Sequence, residues 1–248
     1  MSTLVWDQVG EHWFEQGVQK GVLYPQENGA YPKGVAWNGL RSVEESPSGA
    51  ESNKFYADND IYLNILSKET YECTIGAYTY PPEWEECDGS AALAAGVNIR
   101  QQTRKGFGFC FRTEKGNDAD SAAGYILHLI YGCLASPSSR THETINDSPA
   151  PAELSWSVST VPVPVTGHDK TATLEIDSTT ADATKLKALE DILYGTAETD
   201  ARLPLPDEVA RIFAGTNVVV NPANGDGNAN GDTGAGDGNT NGDGNALG

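Results

Sequence analysis

The chain has 248 residues, which is long enough for one large or two small domains with a sizeable buried core. Its 35 acidic residues outnumber 16 basic ones, and the formal net charge of −19 argues against DNA or RNA as an ordinary ligand, because such binding depends on cationic side chains. No apolar run approaches the roughly 18 residues that span a bilayer, and the first residues do not resemble a secretion signal, so we expect the protein to fold in a cytosol.

Short runs of aromatic and β-branched residues recur along the chain, and Gly, Pro, Asn and Asp separate them. This pattern is typical of antiparallel strands and predicts a mainly β protein. The predicted strands cover residues 17–23, 34–43, 60–66, 71–80, 104–113, 124–133, 154–163 and 171–176. Leu154, Trp156 and Val158 alternate with serines, which indicates a strand with one packed face and one solvated face.

Two helices are predicted after these strands. Residues 182–194 are followed by a glycine and carry aliphatic side chains at helical spacing, at Leu186, Leu189, Ile192 and Leu193. This helix should lie across a sheet. A shorter helix is predicted to begin near Pro206, with Asp207 and Glu208 close to the positive end of its dipole. The alanine-rich residues 88–95 predict a further helical turn or two.

Residues 44–59 lie between two predicted strands and are acidic, small and punctuated by Gly and Pro. This composition predicts a long hairpin loop. Loops of this length in compact domains often carry function. The neighbouring acids Glu44 and Glu45 are interpreted as solvated surface.

Residues 221–248 are rich in Gly, Asn and Asp and contain almost no apolar side chains. Such a segment cannot offset the entropy of ordering, so we predict a flexible acidic tail after a β domain at residues 1–220. Oxygen-bearing residues within it have the spacing of a calcium loop, at Asp226, Asn228, Asn230, Asp232 and Asp237. Because no amphipathic helix flanks them and repeated GDGN sequence produces this spacing by chance, a flexible spacer is the preferred interpretation.

The sequence contains no phosphate-binding loop, nucleophile elbow or zinc-binding HExxH motif. We therefore predict that the protein is not an enzyme, with no catalytic or cofactor-binding residues and no metal site in the β domain. His128 lies in an apolar strand, where a hydrogen-bonded histidine on a sheet face is expected. Free buried thiols are expected for the cysteines, because no CxxC pair occurs among Cys73, Cys87, Cys110 and Cys133. Disulfides would require maturation outside the cell.

A set of short strings occurs in a characteristic order between about residues 17 and 213. They are Gly21-Val-Leu-Tyr24, Phe55-Tyr-Ala-Asp-Asn59 followed by Tyr62-Leu-Asn64, Glu86-Cys-Asp-Gly89, Gln101-Gln-Thr-Arg-Lys105 with Gly108-Phe-Cys110, Leu129-Ile-Tyr-Gly132, Ile145-Asn-Asp-Ser-Pro149 and Ala201-Arg-Leu-Pro-Leu-Pro206. In this order they resemble the major tail (tail tube) proteins of long-tailed, non-contractile bacteriophages of Gram-positive hosts. The tail after residue 220 falls outside the resemblance.

The resemblance implies a tail-tube fold, a β-sandwich or partly closed barrel with one flanking α-helix, a long hairpin loop and terminal arms. It implies a structural virion protein that is assembled in the host cytoplasm into stacked hexameric rings, through which DNA passes without specific binding. The tape measure, tail terminator and distal tail proteins would be further partners, and no membrane is involved. By position, contacts between subunits and rings would come from the hairpin residues Glu44, Glu45, Ser46, Pro47, Ser48, Gly49, Ala50, Glu51, Ser52, Asn53, Lys54, Phe55 and Tyr56. The alternative for this segment is an ordinary mobile surface loop.

Two other functions compete with this one. A surface or carbohydrate-binding β-sandwich module with calcium loops in its tail is favoured by five tryptophans and ten tyrosines, which could stack on sugars. Tryptophans more often serve as core or interface anchors. A hydrolase with two catalytic acids in a β scaffold would require a deep pocket with convergent carboxylates, and the sequence favours no particular pair.

Overall fold

The computed structural model describes residues 3–145, 147 and 150–215. The first eight strands are β1 (Phe14–Pro25), β2 (Val35–Trp37), β3 (Leu40–Glu45), β4 (Ser52–Ala57), β5 (Asp60–Leu66), β6 (Glu72–Ala77), β7 (Ser90–Ala94) and β8 (Val97–Arg100). They are followed by β9 (Phe107–Gly116), β10 (Gly124–Ala135), β11 (Leu154–Thr160), β12 (Val163–Val165), β13 (His168–Thr171) and β14 (Thr173–Asp177). The helices are α1 (Trp84–Asp88), α2 (Ala183–Tyr194) and α3 (Pro206–Ala214). The predicted tail, with its calcium-like spacing from Asp226 to Asp237, lies outside the described residues.

The main sheet is antiparallel and has the order β2-β1-β9-β10-β11-β6-β3, with β14 also paired to β10. Its two edge strands are separated in the chain by only Asn38 and Gly39. Because β2 pairs with β1 while β3 pairs with β6, the sheet must curl until its edges approach each other. The predicted mainly β, partly closed barrel is therefore confirmed. The single strand predicted at residues 34–43 is divided by this turn, where Gly39 has a φ of 76°.

Aromatic side chains fill the interior of the barrel. Trp37, Trp84 and Trp156 are each at most 3% exposed, and their ring centroids lie 4.7 to 5.7 Å apart. Alternate residues of β9 point into the same core, at Phe107, Phe109 and Phe111. Burial of apolar surface contributes about 25 cal/mol per Å², so these large side chains are the main source of the barrel's stability.

Helices α2 and α3 cover the outer face of the sheet. Tyr24 and Tyr131 alternate with the inward side chains and pack against Leu189 of α2. Both tyrosines are buried and donate their hydroxyls to backbone carbonyls, Tyr24 to Leu193 at 2.7 Å and Tyr131 to Pro204 at 3.0 Å. These bonds satisfy the polar atoms that the helix layer removes from water.

Helix α2 occupies the residues predicted for it. Asp182 is its N-cap, and the Asp182 carboxylate accepts hydrogen bonds of 3.0 Å from the backbone N–H groups of Thr184 and Lys185. Helix α3 begins at Pro206, as predicted, with Asp207 in its first turn. No helix within the described residues is long and apolar enough to cross a membrane.

The helical turns predicted at residues 88–95 are wrong. Helix α1 ends at Asp88, and Gly89 follows in the left-handed conformation with a φ of 74°. The alanines form the hairpin β7–β8 instead, with Ala91 opposite Ile99. The helical propensity of alanine is outweighed here because the glycine ends the helix and β8 supplies a pairing partner.

Strand β10 changes partner along its length. Residues 126–130 pair with β14, whereas the strand pairs with β11 from Cys133 onward. Gly132 lies between the two parts with a φ of 61° and accepts a 2.9 Å hydrogen bond from the backbone N–H of Val161. A Cβ at residue 132 would clash with the Val161 carbonyl oxygen, so glycine is required at this bulge.

Candidate assembly surface

A two-stranded ribbon leaves the barrel at β3 and β6. These strands pair as far as Glu45 and Cys73. Beyond them Ser48 and Thr70 exchange backbone hydrogen bonds of 2.9 and 2.8 Å, and β4 then pairs with β5. We call residues 46–71 the ribbon. At about 3.3 Å per residue, the arm from residue 46 to residue 57 can span roughly 40 Å.

The tip of the ribbon is a two-residue turn. Ala57 pairs with Asp60, and the two residues between them, Asp58 and Asn59, have φ values of 53° and 67°. Left-handed conformations at both positions are typical of a type I′ turn, whose twist matches that of the flanking strands. Asp and Asn tolerate this conformation better than most residues, so the sequence itself favours the turn.

The hairpin predicted at residues 44–59 is present, but half of these residues lie in strands and not in a loop. Glu44 and Glu45 end β3, residues 46–51 connect to the next strand, and residues 52–56 lie in β4. The acidic and small residues suggested a loop, but Phe55 and Tyr56 favour extended backbone and β5 supplies a full pairing partner. Their contact with other subunits stays a prediction.

The ribbon carries apolar side chains that its own strands do not cover. Phe55 lies opposite Leu63, and the two are 52% and 47% exposed. On the other face of β5, Tyr62 is 77% exposed and Leu66 is 66% exposed. β4 and β5 pack mainly on each other, and a two-stranded ribbon has no second layer to bury either face. Exposed apolar surface of this kind is typical of an interaction site.

The N-terminal segment is a second exposed apolar element. Leu4, Trp6 and Val9 are 72%, 72% and 85% exposed. The segment is fixed immediately afterwards, where the Asp118 carboxylate accepts a 2.9 Å hydrogen bond from the backbone N–H of Gly10. Residues 3–9 therefore form a terminal arm with uncovered apolar side chains.

A surface depression is the kind of feature that a hydrolase would need as its pocket. It measures about 660 Å³ and lies beside β1, β2 and α2. Lys20, Trp37 and Tyr194 are among its lining residues, which include no carboxylate and no histidine. It therefore lacks the convergent carboxylates that the hydrolase hypothesis requires. Two carboxylates, Glu114 and Glu190, line another depression, where they accept hydrogen bonds from Gln19 and Tyr125.

The four cysteines are free and buried, as predicted. Burial raises the pKa of Cys73 and of Cys87 to about 12. Because the thiolate is the nucleophile and the metal ligand, neither thiol is suited to catalysis or metal binding at neutral pH. They serve as small apolar side chains of the core.

Three side chains within the described part of the chain form a group that could hold a metal ion. They are Glu45 of β3, His128 of β10 and Glu175 of β14, with one ligand atom of each within 4.8 Å of the others. The hydrogen-bonded role predicted for His128 holds for only one ring nitrogen, because Nδ1 has no hydrogen-bond partner. No local sequence pattern predicts this group, because its three residues lie on strands that are distant in the chain.

No family model matches the chain, and no curated protein matches it. Among solved structures, it is similar to a chain of the sheath–tube complex of PVC, an extracellular contractile injection system, in the extended state. That match has 10% identity and a TM-score of 0.32 over 64% of this chain and 88% of the other. A chain of the anti-feeding prophage cap, the AFP tube terminating cap, matches with 8% identity and a TM-score of 0.32 over 72% of this chain and 97% of the other. Likenesses at this TM-score do not establish a shared fold.

Proposed function

We propose that the protein is the tail tube subunit of a long-tailed, non-contractile phage of a Gram-positive host. Copies assemble in the host cytoplasm into hexameric rings, and the rings stack into the tube that delivers the genome. The observation that carries this proposal is the uncovered apolar surface of the ribbon and the N-terminal arm, where Tyr62 is 77% exposed and Trp6 is 72% exposed. The ordered sequence strings that resemble tail tube proteins support the same conclusion.

Self-association can cover both faces and the edges of the ribbon. Within the part of the chain that the structure describes, β4 and β5 pair only with each other, so each has an outer edge of backbone N–H and C=O groups outside any ladder. An edge of this kind can pair with a strand of another copy, while Phe55, Tyr62 and Leu66 provide apolar contacts. The ribbon of one copy meets a different surface on the next, and such an interface produces a ring when the rotation closes. In this assembly residues 44–56, which are the end of β3 and the first arm of the ribbon, contact neighbouring subunits or rings.

The charge of the chain suits a passage for DNA. With a formal net charge of −19, the subunit repels phosphates more than it attracts them. A genome can then pass through the tube without binding to its wall. The tape measure, tail terminator and distal tail proteins are the other partners in the virion tail.

Negative-stain electron microscopy of the purified full chain tests the proposal. We expect rings of uniform diameter with six-fold symmetry in class averages, or tubes that consist of such rings. A chain that ends at residue 220 should assemble equally, because the resemblance excludes the acidic tail. A single monomeric species at the highest soluble concentration, measured by light scattering, would contradict the proposal.

The carbohydrate-binding alternative loses part of its basis in the barrel. Trp37, Trp84 and Trp156 are buried together in the core and cannot stack on a sugar, while Trp6 and Trp13 are 72% and 49% exposed. A monomer that binds glycans on an array would favour this alternative over tube assembly.

A further inference from the structure

His128 has a buried ring nitrogen that makes no hydrogen bond within the described residues. The residue is 7% exposed, and its ring stacks on Phe111 with centroids 4.5 Å apart and an interplanar angle of 4°. Its Nε2 atom lies 3.0 Å from the Thr113 hydroxyl and 3.3 Å from a carboxylate oxygen of Glu15. The Nδ1 atom is buried without a hydrogen-bond partner. Because a buried polar atom without a partner is unfavourable, the site favours a ligand that binds Nδ1.

Two carboxylates are placed to share that ligand. Glu175 lies opposite His128 in the pairing of β14 with β10, and its carboxylate oxygen is 3.9 Å from His128 Nδ1. Glu45 of β3 completes the group, in which one ligand atom of each residue lies within 4.8 Å of the others. One Glu45 oxygen also accepts a 2.7 Å hydrogen bond from the Tyr71 hydroxyl. A carboxylate has about four acceptor positions, so this bond leaves capacity for a metal ion.

We propose that Glu45, His128 and Glu175 form a binding site for a divalent transition metal, with Zn²⁺ as the best-suited ion. Zn²⁺ binds imidazole nitrogen and carboxylate oxygen at about 2.0–2.2 Å, and water completes its coordination. Ca²⁺ and Mg²⁺ prefer ligand sets of oxygen alone, so the imidazole favours Zn²⁺.

The present spacing requires only small movements to fit the ion. Ligand atoms about 2.1 Å from one ion are roughly 3.4 Å apart in a tetrahedral site, compared with the 3.9 Å between Glu175 and His128 Nδ1. The side chain of Glu175 is 62% exposed and can rotate, whereas the His128 ring is held by Phe111. The histidine is thus the fixed ligand, and the carboxylates close around the ion.

Bound metal would join three strands at the point where the ribbon begins. Glu45 is the last residue of β3, and the ribbon starts at Ser46. An ion held between β3, β10 and β14 therefore fixes the base of the ribbon relative to the barrel. Because the site exists only in the folded chain, metal binding should raise the unfolding temperature.

Calorimetric titration of the full chain with Zn²⁺, after chelator treatment and in a reducing buffer, tests the site. We expect one saturable site per subunit, with affinity at least about 10-fold lower in Glu45→Gln and in Glu175→Gln, since even the loss of a group that only orients a metal ligand costs about 10- to 100-fold. Co²⁺ should give a visible absorption spectrum in the natural chain that weakens in Glu175→Gln. The unfolding temperature should rise with Zn²⁺ in the natural chain and less in these variants.

Glu44→Gln is the matched control. It removes the same charge from the same strand, and the side chain of Glu44 points to the opposite face of β3. This variant should bind Zn²⁺ as the natural chain does, and the acidic tail is identical in every variant. Equal Zn²⁺ affinity in Glu44→Gln, Glu45→Gln and Glu175→Gln, or no saturable binding at all, would overturn the proposal. Zn²⁺ binding is measured on the unassembled subunit. Its result therefore does not depend on whether the chain forms rings or tubes.

Discussion

The barrel interior and the ribbon use similar apolar side chains in opposite surroundings. Trp84 and Trp156 are at most 1% exposed, whereas Tyr62 and Leu66 are 77% and 66% exposed. Strands of the curled sheet surround the two tryptophans inside the barrel. The ribbon is a single two-stranded layer, so nothing packs over Tyr62 and Leu66 in the described subunit. Apolar residues therefore stabilise this subunit only where a second layer covers them, and elsewhere they are available to a partner.

The two regions should therefore differ in stability. The barrel combines backbone hydrogen bonds with a large buried apolar core. The ribbon has its ladder of backbone hydrogen bonds but little burial. Segments of this second kind open at low free energy, so the ribbon should be the more mobile region until another copy covers it.

Replacement of a core tryptophan should produce the largest loss of stability. Trp84→Ala removes a side chain that is 0% exposed and leaves a cavity between Trp37 and Trp156, so we expect a loss of about 3–5 kcal/mol. Urea unfolding of the unassembled subunit measures the loss. Trp6→Ala is the control from the exposed arm, and its effect should be below about 0.5 kcal/mol. Similar losses in both variants would contradict the division between covered and uncovered regions.

Two glycines with positive φ differ in the same way, because the backbone of Val161 crowds one of them and nothing crowds the other. Gly132→Ala combines positive φ with a clash against Val161, so we expect a loss on the order of 3 kcal/mol. Gly167 also has a positive φ, of 78°, but a Cβ there meets nothing within 4 Å. Gly167→Ala should therefore cost only about 1 kcal/mol in the same unfolding experiment. Equal losses would show that the β10 bulge is not sterically restricted.

Loss of the helix cap should have a smaller effect. Asp182→Ala leaves the backbone N–H groups of Thr184 and Lys185 without their acceptor, and we expect a loss of about 1 kcal/mol. Asp182→Asn is the control, because an amide oxygen can still accept both bonds, and it should retain most of the stability. If the unfolding curves of Asp182→Ala and Asp182→Asn coincided, the loss of stability would come from the lost charge and not from the lost cap.

Changes in the ribbon should have the smallest effect on the subunit and a large effect on assembly. The double variant Tyr62→Ser with Leu66→Ser alters exposed side chains, so subunit stability should change by less than about 0.5 kcal/mol for each. Rings and tubes should nevertheless disappear from electron micrographs. Leu93→Ser, on the β7–β8 hairpin and 68% exposed in the natural chain, is the control that should still assemble. Assembly of the double variant would show that the ribbon does not mediate contacts.

The sequence predicted the barrel better than the ribbon. Alternation in β11 and helical spacing in α2 are local signals, and both elements were found where expected. The ribbon was missed in part because Ser, Asn and Glu around Phe55 resemble a loop, while its pairing with β5 depends on a partner strand. The group of Glu45, His128 and Glu175 had no local signal, since each ligand lies on a different strand.

Strand β1 pairs with β9, so that Phe14 lies opposite Gly116. During synthesis the ribbon and its apolar side chains are thus complete before β9 is available to pair with β1. Contacts between residues so distant in sequence are slow to form, and we expect refolding followed by tryptophan fluorescence to take milliseconds to seconds. In that interval neighbouring nascent chains could join through their ribbons too early. In the proposed assembly, β1 must therefore pair with β9 before the ribbons of two chains meet.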